Sequence, residues 1–301
     1  TLFLTLSPLE AGTVTLTAVR DNTLYESDQG ATSNALGQHL FVGQTKNGAL
    51  RRGLLAFDLS SIPSGATIQA ALLTMQMSRT TAGTQVVNLH RVLADWGEGS
   101  SDAAGQEGGG VASTLGDATW LHAFFDGTLW ASPGGDYVAA ASASQSVSAI
   151  APYSWGSNAG LVADVQVWLD DPSSNHGWVL VGAESVLRTT KRFDSREHPT
   201  ATGRPQLQVD YVLPAAVVVS YSAGWNIVSL PLTPTQNGVQ ALFPDAVSAF
   251  RFDAVYQPVT VLEPCVGYWL KLGSGGDYSL TGTPIDQCSP ALPASWSLVG
   301  V

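Results

Sequence analysis

Charge is scarce in this 301-residue chain: 12% of its residues are Asp, Glu, Lys or Arg, about half the quarter typical of a globular protein. Disorder goes with high charge and few apolar residues; the opposite balance here, with 45% hydrophobic residues, excludes it. Lysine is scarcer still, limited to Lys46, Lys191 and Lys271, and the formal net charge is −11. So acidic a chain lacks the basic stripe that a phosphate backbone demands, and anionic lipid repels it. Neither nucleic acid nor a membrane surface is an expected partner. No apolar run reaches the roughly 18 residues of a spanning helix, so no membrane insertion is expected.

Cysteine is limited to Cys265 and Cys288, 23 residues apart and in no CxxC, which argues against a zinc or dithiol redox motif. Two buried thiols or one disulfide remain as readings. A disulfide closing such a loop adds on the order of 3 kcal/mol and requires an oxidising compartment. An extracellular or cell-surface location is therefore expected. The chain opens on Thr1 with no signal peptide in view and reads as a processed or trimmed form.

Catalytic signatures are missing as well. His39, His90, His122, His176 and His198 are scattered without an HExxH pair, and there is no GxSxG elbow. Gly105-Gln106-Glu107-Gly108-Gly109-Gly110 lacks the strand-to-helix setting of a phosphate loop. The expectation is a protein without catalysis of its own.

What the chain does have is alternation of period two, rich in Thr, Val and Leu and broken by Gly and Pro. Thr13–Val19, Gly53–Leu59, Ala71–Met77, Thr84–His90, Gly177–Val181 and Pro205–Val212 all read as strands. Short strands at this spacing predict an all-β sandwich or barrel. Leu161, Val162, Val165, Trp168 and Leu169 instead mark one short amphipathic helix, ended by Asp170-Asp171-Pro172. Gly97–Ala118 and Ala139–Ala151 are small-residue stretches that read as long surface loops. Three segments follow: a leading strand and linker over 1–12, a sandwich over 13–213, and a small β domain over 214–301. In the last, Gly224-Trp225-Asn226-Ile227-Val228-Ser229-Leu230-Pro231 is echoed by Ala294-Ser295-Trp296-Ser297-Leu298-Val299-Gly300.

Several landmarks occur in order along the sandwich: Asp21-Asn22-Thr23-Leu24-Tyr25-Glu26, Arg51-Arg52-Gly53-Leu54-Leu55-Ala56-Phe57-Asp58, Asp95-Trp96-Gly97-Glu98-Gly99 and Phe193-Asp194-Ser195-Arg196-Glu197. Through them, about two thirds of the chain resembles the DNRLRE-domain family of secreted proteins related to carbohydrate-binding modules. The resemblance implies a jelly-roll-like β-sandwich without catalysis, often appended to polysaccharide-active or surface proteins. The tail from Gly224 looks like a Gly-Trp-Asn-Leu-Val-Ser-Leu-Pro module found near the C-termini of secreted bacterial proteins.

Candidate site residues fall into four groups. Arg52, Asp58, Arg196 and Glu197 flank strand ends, where a half-buried arginine needs a carboxylate; they are expected to be structural clamps. Asp21, Glu26, Asp28, Asp58 and Asp194 are candidates for calcium, which takes several oxygens. Trp130, Trp155, Tyr137 and Tyr153 surround the long loops and are candidates for stacking on a glycan, whereas Trp96 and Trp120 are expected in the core. Thr1, Leu2, Phe3, Leu4, Thr5 and Leu6 alternate as a spare strand. Such a strand could dock on an open sheet edge of another copy and build a filament or surface layer. The partners considered are therefore other copies of the chain and an extracellular polysaccharide.

Overall fold

The alternation is realised as strands in the computed structural model, which describes Thr5–Leu6 and residues 11–285; of Thr5, Leu6 and Pro284 only the backbone is described. The chain is all-β and divides into two compact units, one over Gly12–Tyr211 and one combining the N-terminal segment with the residues from Val212 onward. The change from one unit to the other falls between Tyr211 and Val212. Among the described residues no helix is long and apolar enough to cross a membrane.

In the large unit, six strands hydrogen-bond in a closed ring: Ala11–Tyr25, Gln206–Val212, Thr67–Thr80, Lys191–Asp194, His39–Gln44 and Leu50–Phe57, the last pairing back with the first. Trp178–Val181, Gln85–Arg91 and Ala143–Val147 extend the sheet from Leu50–Phe57, and Ala151–Gly156 pairs with Thr67–Thr80. Period two decides what is buried: Ala71, Leu73, Met75 and Met77 point inward from one strand while their neighbours stay partly exposed. The predicted helix is Ala159–Asp170, capped by Asn158, whose side chain accepts from the Leu161 amide. Its Trp168 packs 4.5 Å from the ring of Trp178, on the neighbouring strand.

Gly97–Ala118 corrects the surface-loop expectation. Ser101, Ala103, Glu107, Asp117 and Ala118 are buried, and Val111–Ala112 pairs with Thr32–Ser33. The segment carries Glu98 to Arg196 and Glu107 to Asn34 and His39. Its low hydrophobicity misled because backbone and side-chain hydrogen bonds, rather than apolar area, hold it down: Asp117 Oδ1 accepts from Ser100 N, and Asn34 Oδ1 accepts from Ala103 N.

In the small unit, one sheet runs Thr5–Leu6, Ala215–Tyr221, Gly276–Pro284, Leu232–Pro234, and the other runs Gly224–Val228, Tyr268–Leu272, Ala246–Asp253, Val255–Pro258. Val217, Val219, Leu230, Phe243, Leu262, Leu270 and Leu280 belong to the core they share. Of the leading segment, Thr5 pairs with Val218 and Leu6 with Val217 of the same chain. Thr1–Leu4, Cys288 and the echo Ala294–Gly300 lie outside the described residues, and with them the expected Cys265–Cys288 bond and the second Trp strand.

Candidate functional site

The proposed glycan platform of the large unit is corrected by burial. Trp130 is 5% exposed and Trp155 fully buried; their indole N–H groups donate to Thr119 O at 2.9 Å and Val87 O at 2.8 Å. A ring so placed has no free face. Their neighbours Gly, Ser and Pro suggested a surface, but such small residues also let a chain wrap closely around a large ring. Tyr137 packs on His90 and under Arg52, and the Tyr153 hydroxyl donates to Ala149 O while accepting from Ser148 N. Both are half-buried structural contacts. Trp96 and Trp120 fill the core as expected.

Exposed aromatic surface occurs instead on the small unit. On the strand Gly224–Val228, Val228 points into the core while Trp225 and Ile227 point out, 53% and 56% exposed. On its partner strand, Tyr268, Leu270 and Leu272 point in, which leaves Trp269 and Lys271 on the outer face. Pairing sets Ile227, Trp269, Phe250 and Pro258 in one row across four strands. Trp225, Phe250, Tyr256 and Trp269 line a shallow groove of about 560 Å³. Trp225 lies 6.0 Å from Phe250 and 6.4 Å, edge to face, from Trp269. Lys271 Nζ sits 5.8 Å from the Trp225 ring at the rim. Flat rings offered to water with a cation beside them can stack on the C–H face of a sugar while the ammonium bonds a hydroxyl or carboxylate. Sequence reasoning noted Trp225 only as part of the repeat. Its outward direction was readable from alternation: Trp225 and Ile227 share one parity, Asn226 and Val228 the other.

The charged groups form a second constellation, at one end of the large unit. Arg196 Nε and Nη2 donate to both oxygens of Glu98 at 2.8 and 2.7 Å, and Nε lies 2.8 Å from Glu197 Oε1. The Arg196 amide donates to Asp21 Oδ2 at 2.7 Å. Arg196 is thus the expected clamp, with Glu98, 98 residues away, as the unforeseen main partner. Arg52 is the other clamp, bidentate to Glu184 at 2.8 Å on each arm, and also donating to Gly134 O. Gly134 has φ +88°, and a Cβ there would lie 2.4 Å from Arg52 Nη1. Asp58 belongs to neither: it is exposed and caps Ser60.

The five carboxylates weighed for calcium do not converge. Asp28 is exposed in a turn, and Glu26 Oε2 is spent on the Leu50 amide. Asp21 joins Glu98 and Glu197, whereas Asp194 joins His39 and His198. In the first set only Asp21 Oδ1 and Glu197 Oε2 lack a hydrogen-bond partner. Two oxygens beside a guanidinium fall far short of the six to eight that calcium takes, so these residues fit protons better than calcium. Burial, with Glu197 and Glu98 adding to it, raises the Asp21 carboxyl well above its usual range. Burial likewise pushes Glu197 up to about 7, Glu98 reinforcing and Arg196 and Arg204 opposing.

A carboxyl raised on folding stabilises most below its unfolded pKa, and that contribution is lost as pH rises through its folded pKa. The large unit is therefore expected to lose about 2 kcal/mol as pH climbs from about 4.5 to about 7. Urea unfolding in the presence of a chelator checks this. Glu197→Gln should flatten the slope; stability that rises over the same interval would contradict it.

Compared with known proteins, the chain matches no family model, and no curated protein matches it.

Proposed function

We propose that this is a non-catalytic extracellular protein that binds a polysaccharide through the aromatic face of its small unit, the large unit serving as a rigid scaffold. The observation that carries the reading is the groove of Trp225, Phe250, Tyr256 and Trp269 on a sheet face whose opposite side is a packed core. An exposed apolar patch rimmed by polar groups marks an interaction surface, and here most of the patch is ring. The DNRLRE resemblance, with its carbohydrate-binding relatives, and the cysteine pair support an extracellular setting. The net charge of −11 speaks against nucleic acid. Binding of the intact protein to a glycan array tests the reading. Trp225→Ala and Trp269→Ala, both on the outer face, should abolish the signal at unchanged folding; a signal that survives both would refute it.

Self-assembly is the second reading, favoured by one observation: Ala215–Tyr221 accepts Thr5 and Leu6 at its edge. That strand comes from the same chain, so polymerisation requires the segment to exchange between copies. If it does, deleting residues 1–8 should leave folded monomers where the full chain forms concentration-dependent polymers, visible by electron microscopy. Full-length protein that stays monomeric would rule this reading out.

A further inference from the structure

Beyond the aromatic groove and the Arg196 clamp, His39, Asp194 and His198 gather where the strands His39–Gln44 and Lys191–Asp194 meet, with His39 directly opposite Asp194 in register. His39 Nε2 lies 3.9 Å from Asp194 Oδ1, and His198 Nδ1 lies 3.7 Å from Asp194 Oδ2. Asp194 is 3% exposed, and its Oδ1 has no hydrogen-bond partner. A buried carboxylate oxygen left bare between two imidazoles is costly unless something binds it.

The surroundings prepare both rings as ligands. Glu107 Oε1 lies 3.2 Å from His39 Nδ1. Glu107 is itself held: its Oε2 accepts from Asn34 Nδ2 at 3.1 Å and from the His39 amide at 3.0 Å. A carboxylate against Nδ1 keeps the proton there and leaves the Nε2 lone pair facing Asp194, the outer-shell arrangement common behind metal-bound histidines. At His198, Nδ1 is the nitrogen that faces Asp194, and its 3.3 Å contact from the Thr200 amide is a long one that an ion bound at Nδ1 would replace. Arg204 Nε donates to His198 O at 2.8 Å and pins the loop. Gly203 leaves room: a Cβ there would lie 2.7 Å from Asp194 Oδ2 and 3.5 Å from His198 Nδ1.

We propose that His39, Asp194 and His198 bind one divalent transition-metal ion of the zinc class. Two imidazole nitrogens and one carboxylate oxygen suit such an ion and not a hard cation. Zinc bonds these donors at about 2.0–2.2 Å, which sets neighbouring donors roughly 3.3 Å apart. The three ligand atoms lie within 4.8 Å of one another, so the rings close by up to about 1.5 Å to reach that spacing. The fourth position falls to water, since His198 remains partly exposed. The ion would tie the Asp194–Gly203 loop to the strand beginning at His39.

Isothermal titration of the untagged, chelator-treated full chain with zinc chloride tests this, with cobalt(II) absorption reporting the donor geometry. One zinc per chain is expected, with a raised melting temperature and a tetrahedral cobalt spectrum; calcium and magnesium should do neither. His198→Ala should abolish binding, and Glu107→Gln should weaken it about 10- to 100-fold. Should His198→Ala fold poorly, Gly203→Ala, which places a methyl against Asp194 Oδ2, provides the second variant. No heat and no spectrum at millimolar metal, or equal binding by wild type and both blocking variants, would overturn the site.

Discussion

Trp155→Ala is expected to destabilise the large unit by about 3–5 kcal/mol and to leave polysaccharide binding intact. The ring is fully buried, edge-on to Phe193 at 5.8 Å, and its N–H satisfies Val87 O. Truncation opens a cavity between strands that pair through Leu73 and orphans a buried carbonyl, and both effects carry the same sign. Chemical denaturation should show an early transition for the large unit while the small unit's transition stays put. Lost binding at an unchanged midpoint would instead make Trp155 a contact residue.

Arg196→Ala has the second largest expected effect, about 2–3 kcal/mol, held below the range of fully buried pairs because the side chain is 30% exposed. Removing the guanidinium leaves Glu98, Glu197 and Asp21 facing one another, with both Glu98 oxygens deprived of their donors. The loss should therefore be larger at pH 8 than at pH 5, where Glu197 and Asp21 hold protons. Adding Glu98→Gln should recover part of it, and a double-mutant cycle measures how much. Arg196→Lys should not recover it, since an ammonium cannot span both oxygens. Equal melting temperatures for wild type and Arg196→Ala would show that the cluster is merely solvated.

The elements were legible where one physical rule dominates. Alternation in Thr13–Val19 and Ala71–Met77 marks strands because one face of each meets a core. The stripe from Leu161 to Leu169, stopped before Pro172, marks the helix because only a 3.6-residue period puts those side chains together. The sites were less legible because their members are far apart in sequence. Glu98 reaches Arg196, and Glu107 reaches His39 across 68 residues, from a stretch whose composition reads as solvent-facing. Asp21 and Asp194 were singled out as candidates for one calcium site, but their true neighbours depend on which strands pair. Trp130 and Trp225 show the same limit in opposite directions. Small flanking residues suggested exposure for the first, which is buried, and the second, which is exposed, was noted only as part of a repeat motif. For Trp225 the parity of Ile227 and Val228 would have corrected the reading; for Trp130, in a loop, no period exists to consult.

The most direct measurement is a calorimetric titration of the intact protein with the best glycan from the array, repeated with Trp225→Ala and with Trp130→Phe. The predicted result is binding lost by at least about tenfold in Trp225→Ala at an unchanged melting temperature, with affinity retained in Trp130→Phe. Full affinity in Trp225→Ala, or loss confined to Trp130→Phe, would contradict the assignment of the small unit's aromatic face as the binding surface.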